Sequence, residues 1–229
     1  MVSSRAWSDP QPPPQVLYKP NFLMLDDSWT AGTGFIVRLK QPGLYFITAN
    51  HLFGPDAGLK SQMPPDDIAT YVKGIVGLSM QNPKETVWFP EFIKIADAGS
   101  VEDKAVNKDL AVFRREDIPQ LQALELASEM PKKGDRVWVF ARQRGDDTPS
   151  LLGATVDEAD DKQLTYIFDQ ADFRLPGTSG APVLDKDGKV VGINLAGGQT
   201  SDKKFKGWAN PVSAIQAELD KALAPAPSK

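Results

Sequence analysis

The chain has 229 residues, of which 41% are hydrophobic and 24% charged, with no cysteine, one histidine and a net charge of −4. This composition is typical of a globular protein with one large core or two smaller ones. The lack of cysteine excludes disulfides, thiol catalysis and cysteine-bound zinc, and a single histidine excludes most histidine-based metal sites. Nucleic-acid binding depends on concentrated lysine and arginine, which a net negative charge argues against. We therefore expect no cofactor, no metal and no nucleic-acid partner.

The first twenty residues lack the apolar run of a secretion signal, and no later segment is long and apolar enough to span a bilayer. We expect a soluble protein with no membrane partner. Its compartment stays open between a bacterial-type cytoplasm and export with a signal that the given sequence does not include.

Residues 1–21 form a proline-rich segment, with five prolines between positions 10 and 20. Such a density favours an extended polyproline-type arm without internal hydrogen bonds. We interpret the arm as a tether or as a segment that docks on the domain or on a partner.

Short apolar runs rich in Val, Ile, Phe, Tyr and Thr follow from residue 31 onward and predict strands. Strands at such intervals, with few helical stretches between them, indicate an all-β barrel or sandwich. A mixed stretch between Pro119 and Pro131 divides the pattern into two predicted β units, 22–120 and 121–210. The predicted strands cover residues 34–39, 43–49, 109–113, 135–140, 151–156, 163–168, 181–184 and 189–196.

The last segment has a helical pattern, which predicts a short C-terminal helix over residues 211–223 and a tail over 224–229. Asn210 suits a helix cap and Pro211 suits the first helical turn. Steps of three, four and four residues separate the members of one apolar stripe, Val212, Ile215, Leu219 and Leu223.

Two side chains in the first half are candidates for acid-base chemistry. His51 is the only imidazole and follows the second of two apolar strands, so any general base near neutral pH would have to be this residue. Asp109 lies at the mouth of an apolar strand, where aspartate is commonly a turn or cap residue. Beside a histidine it would instead accept a hydrogen bond from Nδ1–H, fix the tautomer and stabilise the imidazolium.

The stretch LPGTSGAPVL places Ser179 between glycines, as an ordinary turn hydroxyl or as a nucleophile. A serine hydroxyl attacks well only when a base such as His51 takes its proton. We expect the backbone amides of Gly177 and Ser179 to form an oxyanion hole, because glycine leaves the approach uncrowded. The order His51, Asp109, Ser179 differs from that of α/β-hydrolases and subtilisin and agrees with that of chymotrypsin.

Together these motifs resemble a trypsin-like (chymotrypsin-fold) serine protease, and more closely the cysteine-free bacterial HtrA/Do-type protease domain. The resemblance implies an all-β fold of two six-stranded antiparallel β-barrels, with a His51–Asp109–Ser179 triad in the cleft between them. It implies a serine endopeptidase that hydrolyses protein or peptide substrates through an acyl-enzyme intermediate. The resembling stretches are GTGFIV, ITANH, KDLAVF, PGTSGAPV, KVVGINLAGG and KGWANPVSAIQ.

The resemblance also implies a primary substrate pocket. Phe173 stands where trypsin-like enzymes keep an acid, which argues against Lys or Arg before the scissile bond and favours a small or aliphatic residue. Thr178 replaces the aspartate that binds a new N-terminus in digestive members, so activation by that salt bridge is not expected. Asn50 and Ala181 also depart from the family pattern. The implied pocket residues are Phe173, Arg174, Leu195, Ala196 and Gly197.

Two other interpretations stay open. The first is a latent or inactive protease-fold binding module, in which the proline-rich arm or the loop around residues 54–68 occupies the cleft. The second is a β-rich structural protein with coincidental motifs, which predicts that Asp109 and Ser179 lie far from His51.

Overall fold

The computed structural model describes residues 11–13, 15–102, 105–170, 174 and 176–224. Within these ranges, no helix combines the length and apolar character that crossing a membrane requires. The first β unit contains β1 (Leu17–Leu23), β2 (Ser28–Thr30), β3 (Gly34–Arg38), β4 (Leu44–Thr48), β5 (Gly74–Ser79), β6 (Thr86–Phe89), β7 (Glu91–Ile93) and β8 (Ala111–Arg115). The second contains β9 (Arg136–Ala141), β10 (Ser150–Ala159), β11 (Leu164–Phe168), β12 (Pro182–Leu184), β13 (Val190–Gln199) and β14 (Phe205–Pro211). The two α-helices are α1 (Pro65–Tyr71) and α2 (Val212–Ala222).

The first unit is an antiparallel sheet with the strand order β6-β5-β1-β3-β4-β8-β7, and β2 pairs with β1. Strand β4 is buried along its whole length, which explains why its sequence LYFIT is apolar up to its last residue, Thr48. The all-β class is confirmed. The first unit departs from the expected six strands, because its sheet has eight.

Strand β1 begins inside the segment that was expected to be a proline-rich arm. It carries Pro20 although it lies between β5 and β3, a position where proline is normally excluded. The Pro20 carbonyl faces the gap between the pairings of β1 with β3 and with β2, where it accepts the Ala31 N–H at 3.4 Å. A backbone N–H at Pro20 would face the same gap, so its absence removes no ladder hydrogen bond on that edge.

The second unit is the expected closed six-stranded barrel, with the order β10-β11-β14-β13-β12-β9. Its interior holds a separate cluster of buried side chains, which includes Tyr166 and Val183. Residues between the units contact both of them: Leu124 forms a backbone bridge with Val37, and Leu126 forms one with Val190. The crossing therefore ties the first sheet directly to the barrel.

Helix α2 closes the described chain, as predicted. Ile215 and Leu219 of its apolar stripe are buried in the core cluster that also contains the first unit. The prediction for the start of this helix is wrong, because Asn210 and Pro211 are the last residues of β14 and no side chain caps the helix. The Asn210 amide instead donates to the Asp109 backbone carbonyl at 3.3 Å.

Candidate active site

His51 lies in a single 3-10 turn, Asn50–Phe53, immediately after β4 ends. Only 3% of its surface is exposed. Its ring Nδ1 lies 2.7 Å from Asp109 Oδ2, and its backbone N–H donates to Asp109 Oδ1 at 2.9 Å. Both carboxylate oxygens thus hold the same residue, once through its side chain and once through its backbone.

Asp109 is fully buried between the 3-10 turn Val106–Lys108 and β8. Besides the two bonds with His51, its Oδ2 accepts the Val101 N–H at 3.0 Å. A carboxylate that is buried without such donors would be strongly disfavoured, because it has left water. These three donors compensate the buried charge and fix the direction in which the carboxylate points.

The surroundings of His51 favour its protonated form. Burial alone would lower the pKa of His51, but the hydrogen bond to Asp109 and the negative charge of that carboxylate raise it overall, with smaller contributions from Asp56 and Glu102. Because an ionised carboxylate only accepts hydrogen bonds, the neutral imidazole carries its proton on Nδ1. The remaining nitrogen, Nε2, is then the basic atom.

The loop that contains Ser179 packs against the strand ends that precede His51. The Thr33 N–H donates to the Ser179 carbonyl at 2.8 Å, and Thr33 Oγ1 donates to the Gly177 carbonyl at 2.6 Å. Gly180 has φ +86°, and a Cβ there would overlap the Thr33 carbonyl and Thr48 Oγ1. Only glycine allows this approach, which seats the loop between the ends of β3 and β4.

The Ser179 hydroxyl does not point to His51. Its Oγ donates to the Leu195 carbonyl at 3.2 Å, and within the described ranges no hydrogen bond joins it to His51. Gly177 has φ +93°, in the left-handed region that favours glycine. The N–H groups of Gly177 and Ser179 donate to no acceptor among the residues that the structure describes.

A series of buried hydrogen bonds supports the Ser179 loop from inside the barrel. Asn194 Nδ2 donates to the Thr178 carbonyl at 3.1 Å and to Thr178 Oγ1 at 3.2 Å. Asn194 Oδ1 accepts the Tyr166 hydroxyl at 2.6 Å. Burial raises the pKa of Tyr166, so this phenol stays a hydrogen-bond donor. Thr178 is therefore held by the barrel itself.

The sequence matches the model of a known protein family. The model of the trypsin-like peptidase domain matches residues 32–193. The chain belongs to the trypsin-like peptidase family. No curated protein sequence matches it.

The match to this family confirms the expected chymotrypsin-like fold, and solved structures of several proteases share that fold. A serine endoprotease from Yersinia pestis has a TM-score of 0.61 and 14% identity, over 92% of this chain and 64% of the other. The active form of Rv3671c protease from M. tuberculosis has a TM-score of 0.57 and 17% identity, over 100% of this chain and 96% of the other. The HtrA-type protease AlgWS227A with tripeptide has a TM-score of 0.58 and 16% identity, over 92% of this chain and 61% of the other. The chain thus spans less than two thirds of the Yersinia pestis and AlgW chains.

The residues expected to line the primary pocket of this peptidase domain lie in two places. Leu195, Ala196 and Gly197 are on β13, whose strand pairing beyond Ile193 is with β14 alone among the described strands. The backbone N–H of Arg174 donates to Gln143 Oε1, and its guanidinium donates to the Arg144 carbonyl at 3.0 Å. Phe173 lies outside the described residues. Whether these residues line one pocket stays a prediction.

Several supporting residues were not predicted from the sequence. Gln62 Nε2 donates to the Asn50 carbonyl and to Asn50 Oδ1, at 3.1 and 2.9 Å, and so holds the turn that carries His51. The unexpected asparagine before the histidine was the sequence signal for this contact. Thr33 and Asn194 are likewise polar residues within apolar stretches, GTGFIV and GINLA, which marks them as buried hydrogen-bonding groups.

Proposed function

We propose that this chain is a serine endopeptidase. His51 Nε2 takes the proton from Ser179 Oγ as the oxygen bonds to the scissile carbonyl carbon, and the amides of Gly177 and Ser179 stabilise the oxyanion. The C–N bond then breaks, and the imidazolium gives its proton to the leaving amine, which leaves an ester on Ser179. Water, deprotonated by His51, hydrolyses that ester and restores the hydroxyl. Asp109 stabilises the imidazolium throughout without becoming protonated.

The observation that carries this proposal is the buried bond between His51 and Asp109. A structural histidine needs neither a raised pKa nor a carboxylate held by three donors, whereas a general base needs a fixed tautomer and a stabilised imidazolium. Membership of the trypsin-like peptidase family supports the same chemistry.

In this proposal the Ser179 side chain must rotate before its hydroxyl can reach His51. Turning Ser179 about χ1 would release the Leu195 carbonyl, and we propose that a bound substrate directs the hydroxyl to His51 Nε2. Catalytic hydrogen bonds are often long or poorly aligned before substrate binds. The N–H groups of Gly177 and Ser179, which have no acceptor among the described residues, support an oxyanion hole next to that hydroxyl.

A protein or peptide in extended conformation is the proposed substrate. Beyond Ile193, β13 offers backbone groups along the edge that faces away from β14, and an extended peptide can add to such an edge as a further strand. In this arrangement the residues before the scissile bond would lie along Leu195–Gln199. We propose that Ala196 and Gly197 on this edge border the pocket for the small or aliphatic residue expected from the sequence.

Covalent labelling tests the proposal. A fluorophosphonate probe should attach to Ser179, located by mass spectrometry of a digest, and labelling should disappear in Ser179→Ala and His51→Ala. Ser201→Ala changes an exposed serine and is the matched control, which should label as the unaltered protein does. Equal labelling of His51→Ala and the unaltered protein would overturn the proposal.

A latent protease-fold binding module is the second candidate, and one observation favours it: the Ser179 hydroxyl is bonded to the Leu195 carbonyl. A latent protein would label with the probe only after a peptide ligand is added. Fast labelling of the protein alone would contradict latency.

A further inference from the structure

A groove of about 580 Å³ opens next to Gly177, between the two β units. Lys19 of β1 and Met80 form its wall on the first unit, and the turn that follows β9, residues 142–146, forms the opposite wall. Its volume is within the range of sites that bind small ligands or a few peptide residues.

This groove is basic in a chain whose net charge is −4. Lys19, Arg142 and Arg144 line it against one carboxylate, that of Asp146. The guanidinium of Arg174 adds a fourth positive charge beside them, because it donates to the Arg144 carbonyl. None of these four cations forms an ion pair with another described residue. Their charge is therefore available to a ligand.

The groove lies on the side of Ser179 that faces away from β13. The Ser179 hydroxyl meets Leu195 of β13, whereas its carbonyl meets Thr33 and a Cβ at Gly32 would lie 2.8 Å from that same oxygen. Gly32 and Gly177 both line the groove. A peptide that runs along β13 to Ser179 would continue past Gly177 into this groove, so the residues after the scissile bond would occupy it.

We propose that the basic groove selects acidic residues on the leaving side of the scissile bond. The proposal rests on the endopeptidase function above, and it names the substrate class as peptides with Asp or Glu in the first three positions after the cleaved bond. Exposed ion pairs each contribute little, so we expect about a tenfold preference when three of them act together. Screening should reduce the preference at high salt.

The test compares three labelled peptides that share one first half of small and aliphatic residues. Their second halves are Asp-Glu-Asp, Ala-Ala-Ala and Lys-Arg-Lys. Cleavage is measured by kcat/KM with the unaltered protein, and binding is measured by fluorescence anisotropy with Ser179→Ala, which needs no turnover. The double variant Arg142→Glu/Arg144→Glu reverses the wall charge. Lys132→Glu/Lys162→Glu makes the same charge change at exposed lysines that are not part of the groove lining.

We expect the acidic peptide to be cleaved about ten times as efficiently as the alanine peptide. The groove variant should lose or invert that order, and the control variant should keep it. Cleavage at equal rates, or the same order in the groove variant, would overturn the inference and leave the endopeptidase proposal standing.

Binding separates the two proposals when nothing is cleaved. Tighter binding of the acidic peptide, lost in the groove variant on the Ser179→Ala background, would support the basic groove and count against endopeptidase function. Equal binding of all three peptides without cleavage would contradict both.

Discussion

The two halves of the proposed site differ in how completely the fold assembles them. On the first unit, His51 and Asp109 are buried and fixed by direct hydrogen bonds from ring and backbone. On the second unit, the backbone around Ser179 is shaped just as firmly by Thr33 and Asn194, but the hydroxyl points to Leu195. In the proposed mechanism, the fold would thus hold the base and the oxyanion loop in place before substrate binds, and one side-chain rotation would complete the site.

Removing the nucleophile should have the largest effect. Ser179→Ala should lower kcat by about a millionfold, and the double variant with His51→Ala should be no worse, because the two residues act as one unit. Peptide hydrolysis followed by mass spectrometry measures this. Residual activity above a few per cent would show that another group is the nucleophile.

Removing the charge of the Asp109 carboxylate should have the second largest effect. Asp109→Asn keeps the shape of the side chain but no longer fixes the Nδ1–H tautomer, so kcat should fall by about 10⁴-fold. Asp117→Asn, which alters an exposed carboxylate paired with Arg38, is the control and should have full activity. An Asp109→Asn protein of near-normal kcat would mean that the buried pair is structural.

Loosening the oxyanion loop from the first unit should have an intermediate effect. Thr33→Val removes the hydroxyl that binds the Gly177 carbonyl and keeps the side-chain shape. Loss of one oxyanion donor costs about 100- to 1,000-fold in other enzymes, and here the loop is only loosened, so we expect about tenfold in kcat with KM little changed.

The control for this variant is Thr30→Val, which alters an exposed threonine bonded to Asn21. It should leave kcat unchanged. An unchanged kcat in Thr33→Val as well would show that the loop keeps its shape without this contact.

The series of hydrogen bonds from Tyr166 through Asn194 to Thr178 should matter mainly for stability. Tyr166→Phe leaves Asn194 Oδ1 buried without its donor, which should lower the free energy of unfolding by about 1–3 kcal/mol. Urea titration measures this, with the exposed Tyr71 changed to Phe as the neutral control. Equal midpoints for the two variants would mean that water replaces the lost donor.

The sequence predicted the parts of the fold whose pattern is local. Apolar periodicity predicted the strands around GFIVR and LYFIT, strand β8, the barrel strands β9 to β13, and helix α2. The prediction missed strands β1, β2, β5, β6, β7 and β14. Pro20 interrupts the strand pattern of β1, and two glycines interrupt the apolar pattern of β5. Gly77 of β5 packs against the rings of Phe46 and Tyr18. Those packing contacts come from distant strands, which no local pattern reveals.

The candidate site was predictable to the same extent. Motif and chain order identified His51 and Asp109, and the structure brings these two together. The direction of the Ser179 hydroxyl depends on Leu195 of β13, and the position of the Arg174 side chain depends on Arg144 in the turn after β9. The sequence of a loop restricts its backbone, but its side-chain partners are set by the packing of the whole molecule.

A nitrogen NMR titration of the only histidine tests most directly whether His51 is a prepared base. Because the chain has one imidazole, its two nitrogen signals need no assignment by mutation. We predict a proton on Nδ1 in the neutral ring and a titration midpoint above that of an ordinary histidine, which falls in Asp109→Asn. Since only the neutral ring can accept a proton, kcat should rise with pH through the same midpoint. A proton on Nε2, or a midpoint below the ordinary value, would contradict this assignment.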